Sequence, residues 1–447
     1  MHKLAVSTSL FFYRLLYYSL TPFLLARLLF KHQKSRAYKE QRQSLRLAER
    51  FGVFKQPEFS SELLSPIWFH TVSVGEFIAS LPLIRQIMQD YPQHPIIITC
   101  TTTTGSAQII KTFATEIQQG HVFHCYLPYD LPGSMRRFLE QTQPCLGLIM
   151  ETEIWPNMLH MATKMHIPLW LLNARMSARS AKGYSRVSKL IANALQQFSG
   201  IAAQDILDAQ RLIQLGACER TLHVTGSIKF DIQLNLDDIP KGRVLRQQLC
   251  WQDKQVLIAA STHKGEDELL LSVFRALRQQ YPQLVMIVVP RHPERFQSVY
   301  QLLSHSDFKV IKRSASHANT LYSASETDIL LGDSMGEMMH YFACADLVFM
   351  GGTLVSTGGH NILEPAAMGL PIIYGPYMFN FSAINELFLY HRAARQVSDV
   401  ASLEKTLSEL LGNKKRADEL ARNAQQLIKN NAGAMVNNLA LLKPYLG

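Results

Sequence analysis

WFHTVSVGEFIASLP, Trp68 to Pro82, changes its periodicity at its centre. Its first residues belong to a short apolar run that reads as a buried strand. Ser73-Val74-Gly75 turns the chain, and the residues that follow read as a helix. Strand, tight turn and helix in that order open a β/α unit, whose apolar strand needs further units on either side to be buried. Glu76 stands directly after the turn. A carboxylate there is a good helix cap. It also stands at a strand end beside Gly75, where a second molecule can approach a general base.

The same alternation extends in both directions. IWFHTVS (67–73), PIIITCT (95–101), VFHCYLP (122–128), CLGLIM (145–150), PLWLLN (168–173) and GIAAQ (200–204) are apolar runs, each followed by a helical pattern. Near LNLDDIPKGR (234–243) the pattern lapses into polar, Pro- and Gly-bearing sequence, the expected domain boundary. A second series follows with QVLIAAS (255–261), LVMIVVP (284–290), FKVIK (308–312), DILLGD (328–333), DLVFMGG (346–352) and PIIYGP (371–376). The 447 residues suit two α/β domains with parallel sheets, 51–234 and 244–425. The remainder is an amino-terminal segment, 1–50, and a carboxyl-terminal helix, 426–447, that packs back on the first domain.

Lys and Arg number 45 against 35 Asp and Glu, a formal charge of +10, which favours an anionic partner. Much of the excess adjoins a greasy segment. Leu4 to Phe30 is apolar and aromatic except for a few small polar residues, Arg14 and Arg27; Lys31, Lys34, Arg36, Lys39, Arg42, Arg46 and Arg50 follow as a basic collar. The pattern predicts a membrane anchor with its basic flank in the cytoplasm, either spanning or lying in the interface with Arg14 snorkelling. Six scattered cysteines without a C-x-x-C pair suit a reducing compartment and offer no zinc site.

In open α/β sheets ligands bind beyond the carboxyl ends of the strands. Those ends carry Glu76, then Glu151 and Glu153 in METEIWPN, and Lys229 in TGSIKFD in the first half. Strand alternation predicts that Glu151 and Glu153 face opposite ways, one a site residue and one structural. In the second half they carry Pro290-Arg291-His292, Met335-Gly336-Glu337 in GDSMGE, and GGHNILEP with Asn361, Ile362, Leu363 and Glu364. The glycines and a helix start there suit phosphate, and Glu364 suits a ribose diol. Neither a G-x-G-x-x-G fingerprint nor a Walker A loop is present. STHKGEDE (261–268) is a further strand end that reads as a capping box.

Taken together, SVGE, ETEIWPN, NARMS, GSIKFD, VPRHPER, GDSMGE and GGHNILEP, in this order after a basic-flanked anchor, resemble the 3-deoxy-D-manno-octulosonic acid (Kdo) transferases of lipopolysaccharide synthesis over nearly the whole chain. The resemblance implies a GT-B glycosyltransferase: two Rossmann-like domains with parallel sheets facing across a cleft, plus the N-terminal membrane-anchor helix. It implies transfer of Kdo from CMP-Kdo to a lipid A precursor, lipid IVA, with inversion. The expected place is the cytoplasmic face of the bacterial inner membrane, an anionic surface. No bound metal, cofactor or nucleic acid partner is implied. It makes Glu76 the proton acceptor and associates Glu151 and Lys229 with stabilisation of the transition state. CMP is then held by Pro290 and Arg291, by Met335, Gly336 and Glu337, and by Asn361, Ile362, Leu363 and Glu364. Rival readings are a membrane-bound GT-B enzyme using a UDP-sugar, a nucleotide-sugar 2-epimerase and a non-catalytic lipid-binding protein.

Overall fold

The computed structural model describes residues 2–34, 46–60, 63–232, 234, 237–317 and 327–446. The chain forms two compact units, Met1–Asp231 with Gly433–Gly447, and Ile232–Ala432. Arg36, Lys39 and Arg42 of the expected basic collar lie outside the described residues.

In the first unit seven strands follow one another: β1 (Ile67–His70), β2 (Ile96–Cys100), β3 (Val122–Tyr126), β4 (Leu146–Met150), β5 (Leu169–Ala174), β6 (Gly200–Ala203) and β7 (Leu222–Val224). They form one parallel sheet in the order β3-β2-β1-β4-β5-β6-β7. Chain order reverses direction between β1 and β4, whose register pairs Ile67 with Leu146 and His70 with Ile149. Successive strand side chains go to opposite faces, and both faces are covered: Trp68 and Leu171 join one buried cluster, Ile67, Phe69 and Leu172 the other. That two-sided burial is why the strands read as unbroken apolar runs. Gly200 in β6 leaves the space filled by the Trp170 ring, whose atoms lie 2.3–2.5 Å from where a Cβ would stand.

The second unit repeats the plan with β8 (Gln255–Thr262), β9 (Leu284–Pro290), β10 (Val310–Lys312), β11 (Ile329–Leu331), β12 (Leu347–Met350), β13 (Ile372–Tyr374) and β14 (Arg395–Gln396). Its parallel order is β10-β11-β9-β8-β12-β13-β14, with the reversal between β8 and β12. Its core gathers Leu257, Met286, Ile329 and Phe349 with Phe274, Leu407 and Leu420 of the covering helices.

The units divide a few residues from where composition suggests. The Pro- and Gly-bearing run before Arg243 is largely the start of a helix, Asp238–Gln248, belonging to the second unit; Gly242 there lets it lie against Ala343 and His340. The carboxyl-terminal tail is not one helix. Lys414–Asn431 stays with the second unit, Gly433 breaks the chain at φ 103°, and Ala434–Leu442 joins the first. Ala434, Leu442 and Leu446 complete a core cluster of the first unit, and Tyr445 meets Trp170 edge-on.

A 33-residue helix, His2–Lys34, opens the chain. Among the described residues no helix is long and apolar enough to cross a membrane. Arg14, expected to snorkel towards lipid headgroups, instead donates from Nε to Asn157 Oδ1 at 2.7 Å. Beside it the Tyr13 hydroxyl donates to Asp130 at 2.8 Å. Asp130 also accepts the backbone N–H groups of Asn157 and Met158 at the start of the helix Pro156–Lys164. One face of the first helix is thereby docked on the first unit. Phe11, Phe12, Leu15, Leu16, Leu20 and Phe23 stay exposed, at the three- and four-residue spacing of one helical stripe.

Asp231 fastens the returning tail: its carboxylate accepts the backbone N–H groups of Gly433 and Met435, both at 2.5 Å. Asp231→Ala leaves these helix-start donors without their acceptor and should cost about 1–2 kcal/mol. A lower melting temperature and faster proteolysis after residue 432 are the expected readouts.

Candidate active site

Glu76 lies in the first turn of the helix Val74–Asp90, which follows β1. Ser73 is its N-cap, accepting Glu76 N–H at 3.4 Å and donating to Glu76 Oε1 at 3.3 Å; the Val72 N–H donates to Oε2 at 2.7 Å. The capping role is therefore real. It also fixes the carboxyl in a half-buried position. Burial pushes its pKa up to about 7; the Val72 amide opposes this, and the charges of Glu151 and Glu153 add to it.

Those two carboxylates follow β4, the strand beside β1. The alternation of a strand does not reach them, because β4 ends at Met150. Glu151 takes a left-handed backbone, φ 60°, which costs on the order of 1–2 kcal/mol for a residue with a Cβ. Two contacts hold it: its N–H donates to Leu172 O at 2.9 Å, and its Oε1 accepts Lys229 Nζ at 2.7 Å. Glu153 accepts the Trp155 indole N–H at 2.6 Å, and burial raises its pKa.

Lys229 sits on a short helical turn, Ile228–Phe230, after β7. Ile228 N–H donates to Asn173 Oδ1 at 3.2 Å, and Asn173 at the end of β5 has φ 52°. With 30% and 21% of their side chains exposed, Lys229 and Glu151 gain at most about 1 kcal/mol from pairing. What the pair supplies is position: a cation and an anion fixed near Glu76. The structure thus gathers Glu76, Glu151 and Lys229 around one switch of strand order.

The second unit places its predicted residues along the equivalent edge. Met335, Gly336 and Glu337 lie past β11, Pro290 and Arg291 at the end of β9, and Asn361–Glu364 past β12. Arg291 is exposed, its N–H bonded to Thr262 O at 3.0 Å. Glu337 is occupied by Arg313 at 2.8 Å; burial pushes its carboxyl up, but the hydrogen bonds of Arg313 and Ser334 outweigh this and hold it at about 2. This segment therefore presents the exposed Met335 side chain and the backbone of Gly336, where φ is 83° and nothing adjoins the Cβ position. Ile362 and Leu363 have core side chains, 0% and 2% exposed, so they can offer a ligand only backbone groups. The helix begins at Leu363, later than His360 or Asn361; Asn361 accepts the Leu363 N–H and donates to Glu364 at 3.1 Å. Burial raises the Glu364 pKa. Among the described residues no group of three or more His, Cys, Asp or Glu is arranged to hold a metal ion.

A family model described as 3-deoxy-D-manno-octulosonic-acid transferase (kdotransferase) matches residues 45–232. The 3-deoxy-D-manno-octulosonic acid transferase of Haemophilus influenzae is 40% identical over 437 residues, 98% of this chain and 98% of that protein. The chain belongs to the Kdo transferase family. The transferase of that name from Bordetella pertussis is 34% identical over 86% of this chain and 88% of its own length. The protein is thus a Kdo glycosyltransferase. In fold it is similar to the UDP-GlcNAc 2-epimerase of Neisseria meningitidis, with a TM-score of 0.55 and 12% identity, covering 85% of this chain and 100% of that one. That likeness speaks for the GT-B-type pair of parallel-sheet domains.

For this Kdo transferase the sequence alone understates one residue. Glu266, read as a local capping group, is fully buried and accepts four backbone N–H groups: His263 at 2.9 Å, Gly352 at 2.6 Å, and Thr353 and Leu354 both at 2.9 Å. Three belong to the glycine-rich loop after β12, so Glu266 sets the shape of that loop. The available signal was an acidic residue at the first position of a helix that follows a strand end. Glu266→Gln keeps the volume but turns acceptor into donor on one side, leaving at least one buried N–H unmatched at about 1–3 kcal/mol. Hydrogen exchange should speed up in residues 352–354 while the β8 and β9 amides keep their protection.

Proposed function

We propose that this protein transfers Kdo from CMP-Kdo to lipid IVA with inversion, using Glu76 as the general base. One observation carries the reading: a half-buried carboxyl, held by the Val72 amide and the Ser73 hydroxyl, stands at the β1/β4 switch point beside the fixed Glu151–Lys229 pair, and burial pushes its pKa up to about 7. A base with a pKa near the working pH combines a useful unprotonated fraction with enough proton affinity to assist an alcohol. In the reaction Glu76 accepts the proton of the lipid's sugar hydroxyl as that oxygen attacks the anomeric carbon of Kdo. The bond from that carbon to the phosphate oxygen breaks, and CMP leaves with the electron pair. Lys229 offsets negative charge as it develops in the transition state, and Glu151 holds the lysine in place. In the second unit, Arg291 takes the phosphate, Glu364 the ribose hydroxyls, and the backbone around Gly336 the base.

The lipid acceptor requires access to a membrane. The exposed stripe Phe11, Phe12, Leu15, Leu16, Leu20 and Phe23 suits a helix lying in the interface, with its apolar face among the acyl chains. Two of the expected collar residues are taken up within the first unit, Arg46 by Glu49 and the buried Arg50 by Thr101 O and the Tyr126 ring; each remaining Lys or Arg near an anionic surface adds on the order of 1 kcal/mol. The proposed location is the cytoplasmic face of the bacterial inner membrane.

Glu76→Gln should keep the fold and CMP binding while lowering turnover by roughly 10²-fold or more, followed by mass spectrometry of Kdo-lipid IVA. Because the unprotonated carboxyl is the active form and its pKa is raised, activity should climb with pH through about 7 and level off above it. Glu151→Gln removes a like charge, so the remaining activity should rise at lower pH; an unmoved profile refutes the role of Glu76. Replacing both Phe12 and Leu16 by Asp should release the protein from phosphatidylglycerol vesicles, and undiminished co-sedimentation would rule out interfacial anchoring through this face.

A further inference from the structure

Lys229 and Glu151 meet although their strands do not touch. Glu151 follows β4, whereas Lys229 follows β7, the edge strand three places along the sheet. Neighbouring strands lie about 4.8 Å apart, so the two strand ends are separated by roughly 14 Å, farther than a lysine side chain reaches. The chain after β7 must therefore come back along the sheet edge towards β5, and its hydrogen bonds record the path. Thr225 N–H is still bonded to Ala203 O of β6 at 3.0 Å. Gly226, at φ 90°, turns the chain. Ile228 N–H is then bonded to Asn173 Oδ1 of β5 at 3.2 Å, and Lys229 Nζ stands 2.7 Å from Glu151 Oε1.

Asn173 suits that hold. It lies just before the last residue of β5, where the pairing with β6 shifts register between Leu171 and Ala174. Its φ of 52° is left-handed, a conformation Asn adopts more readily than most residues with a Cβ. Its backbone O accepts Gln204 Nε2 at 2.9 Å, so the strand end is held independently of the side chain. The neighbouring residues hold the other partner: Leu172 O accepts Glu151 N–H at 2.9 Å, and Arg175 O accepts the Thr152 hydroxyl at 2.6 Å. One short stretch of β5 thus carries the Glu151 turn on its main chain and the Lys229 turn on a side chain. Asn173 is fully buried, and its Nδ2 has no partner among the described residues. Burying an unpaired amide nitrogen costs free energy that an apolar side chain of similar size would avoid. What the amide supplies here is its oxygen, facing the N–H of the residue before the lysine.

The ion pair does not fix the lysine by itself. Both members are partly exposed, and such a pair holds flexible side chains weakly. Where Lys229 stands therefore depends on where its backbone is carried. We propose that Asn173 is a positioning residue of the transfer reaction: through the Ile228 amide it carries Lys229 to Glu151, and so to the place where charge develops in the transition state. The inference rests on the role proposed above for Lys229. Asn173 is buried and acts through the turn, not on the substrate. The leverage is large, because moving a catalytic group by about 1 Å can cost on the order of 10²-fold in rate.

The test is a double-mutant cycle on turnover of the whole chain with CMP-Kdo and lipid IVA. Asn173→Gly removes the amide oxygen and suits the left-handed backbone. Ile228→Pro removes the same hydrogen bond from its donor side, at the first position of a helical turn after the extended Ser227, where proline is tolerated. Each should lower kcat roughly 10-fold or more and leave KM for CMP-Kdo within about twofold. Lys229→Met alone should cost roughly 10²-fold. Added to Lys229→Met, either variant should lower kcat by no more than about twofold further, because the group it positions is already gone. Hydrogen exchange at residues 228–230 should speed up in Asn173→Gly while the β4 and β5 amides keep their protection, which also reports a folded first unit. A fall of equal size with and without the lysine, a fall carried by KM, or no fall in either variant overturns the positioning role and leaves that of Lys229 standing. Lys229→Met turning over at the wild-type rate overturns both.

Discussion

A parallel strand cannot be followed by its neighbour through a tight hairpin; the chain must climb over one face of the sheet and return. Every strand here therefore ends in a turn leading to a helix, and all these turns share one edge. At each switch of strand order two neighbouring turns belong to chains leaving in opposite directions, and they part to leave a hollow. In the first unit the turns after β1 and β4 bring Glu76 to Glu151 and Glu153; in the second, those after β8 and β12 bring His263 to His360. The reactive groups are brought together by strand order, from sequence positions dozens of residues apart.

At Glu76, capping and the proposed proton transfer are compatible. The Val72 amide and the Ser73 hydroxyl restrict the carboxyl to one orientation. A general base must be held within hydrogen-bond reach of its proton, so a cap is a good way to build one. The amide alone would depress the pKa; burial and two neighbouring carboxylates more than compensate. The strained backbone at Glu151 serves the same end, with the lysine contact keeping that charge close without a direct bond to Glu76.

Much of this was legible in the residues. Two-sided burial writes a parallel strand as an apolar run, and polar groups mark the strand ends, so both sheets and the meeting of Glu76, Glu151 and Lys229 were readable. What escaped were contacts whose partners are remote. Arg14 resembled a snorkelling residue because Asn157 is 143 positions away, and Glu266 resembled a local cap because Gly352 is 86 away. The strand rule applied to Glu151 and Glu153 had no hold there, since the strand stops at Met150. Ile362 and Leu363 fell inside a binding motif, but their side chains are core.

The return of residues 433–446 to the first unit sets an order on biosynthesis. As the ribosome delivers the chain, the amino-terminal sheet emerges hundreds of residues before Leu442 and Leu446, which close one of its faces. Until then that face stays open to water and to chaperones. The first unit is consequently finished last, after the second has been made, and a nascent chain that stalls early lacks a sealed amino-terminal domain.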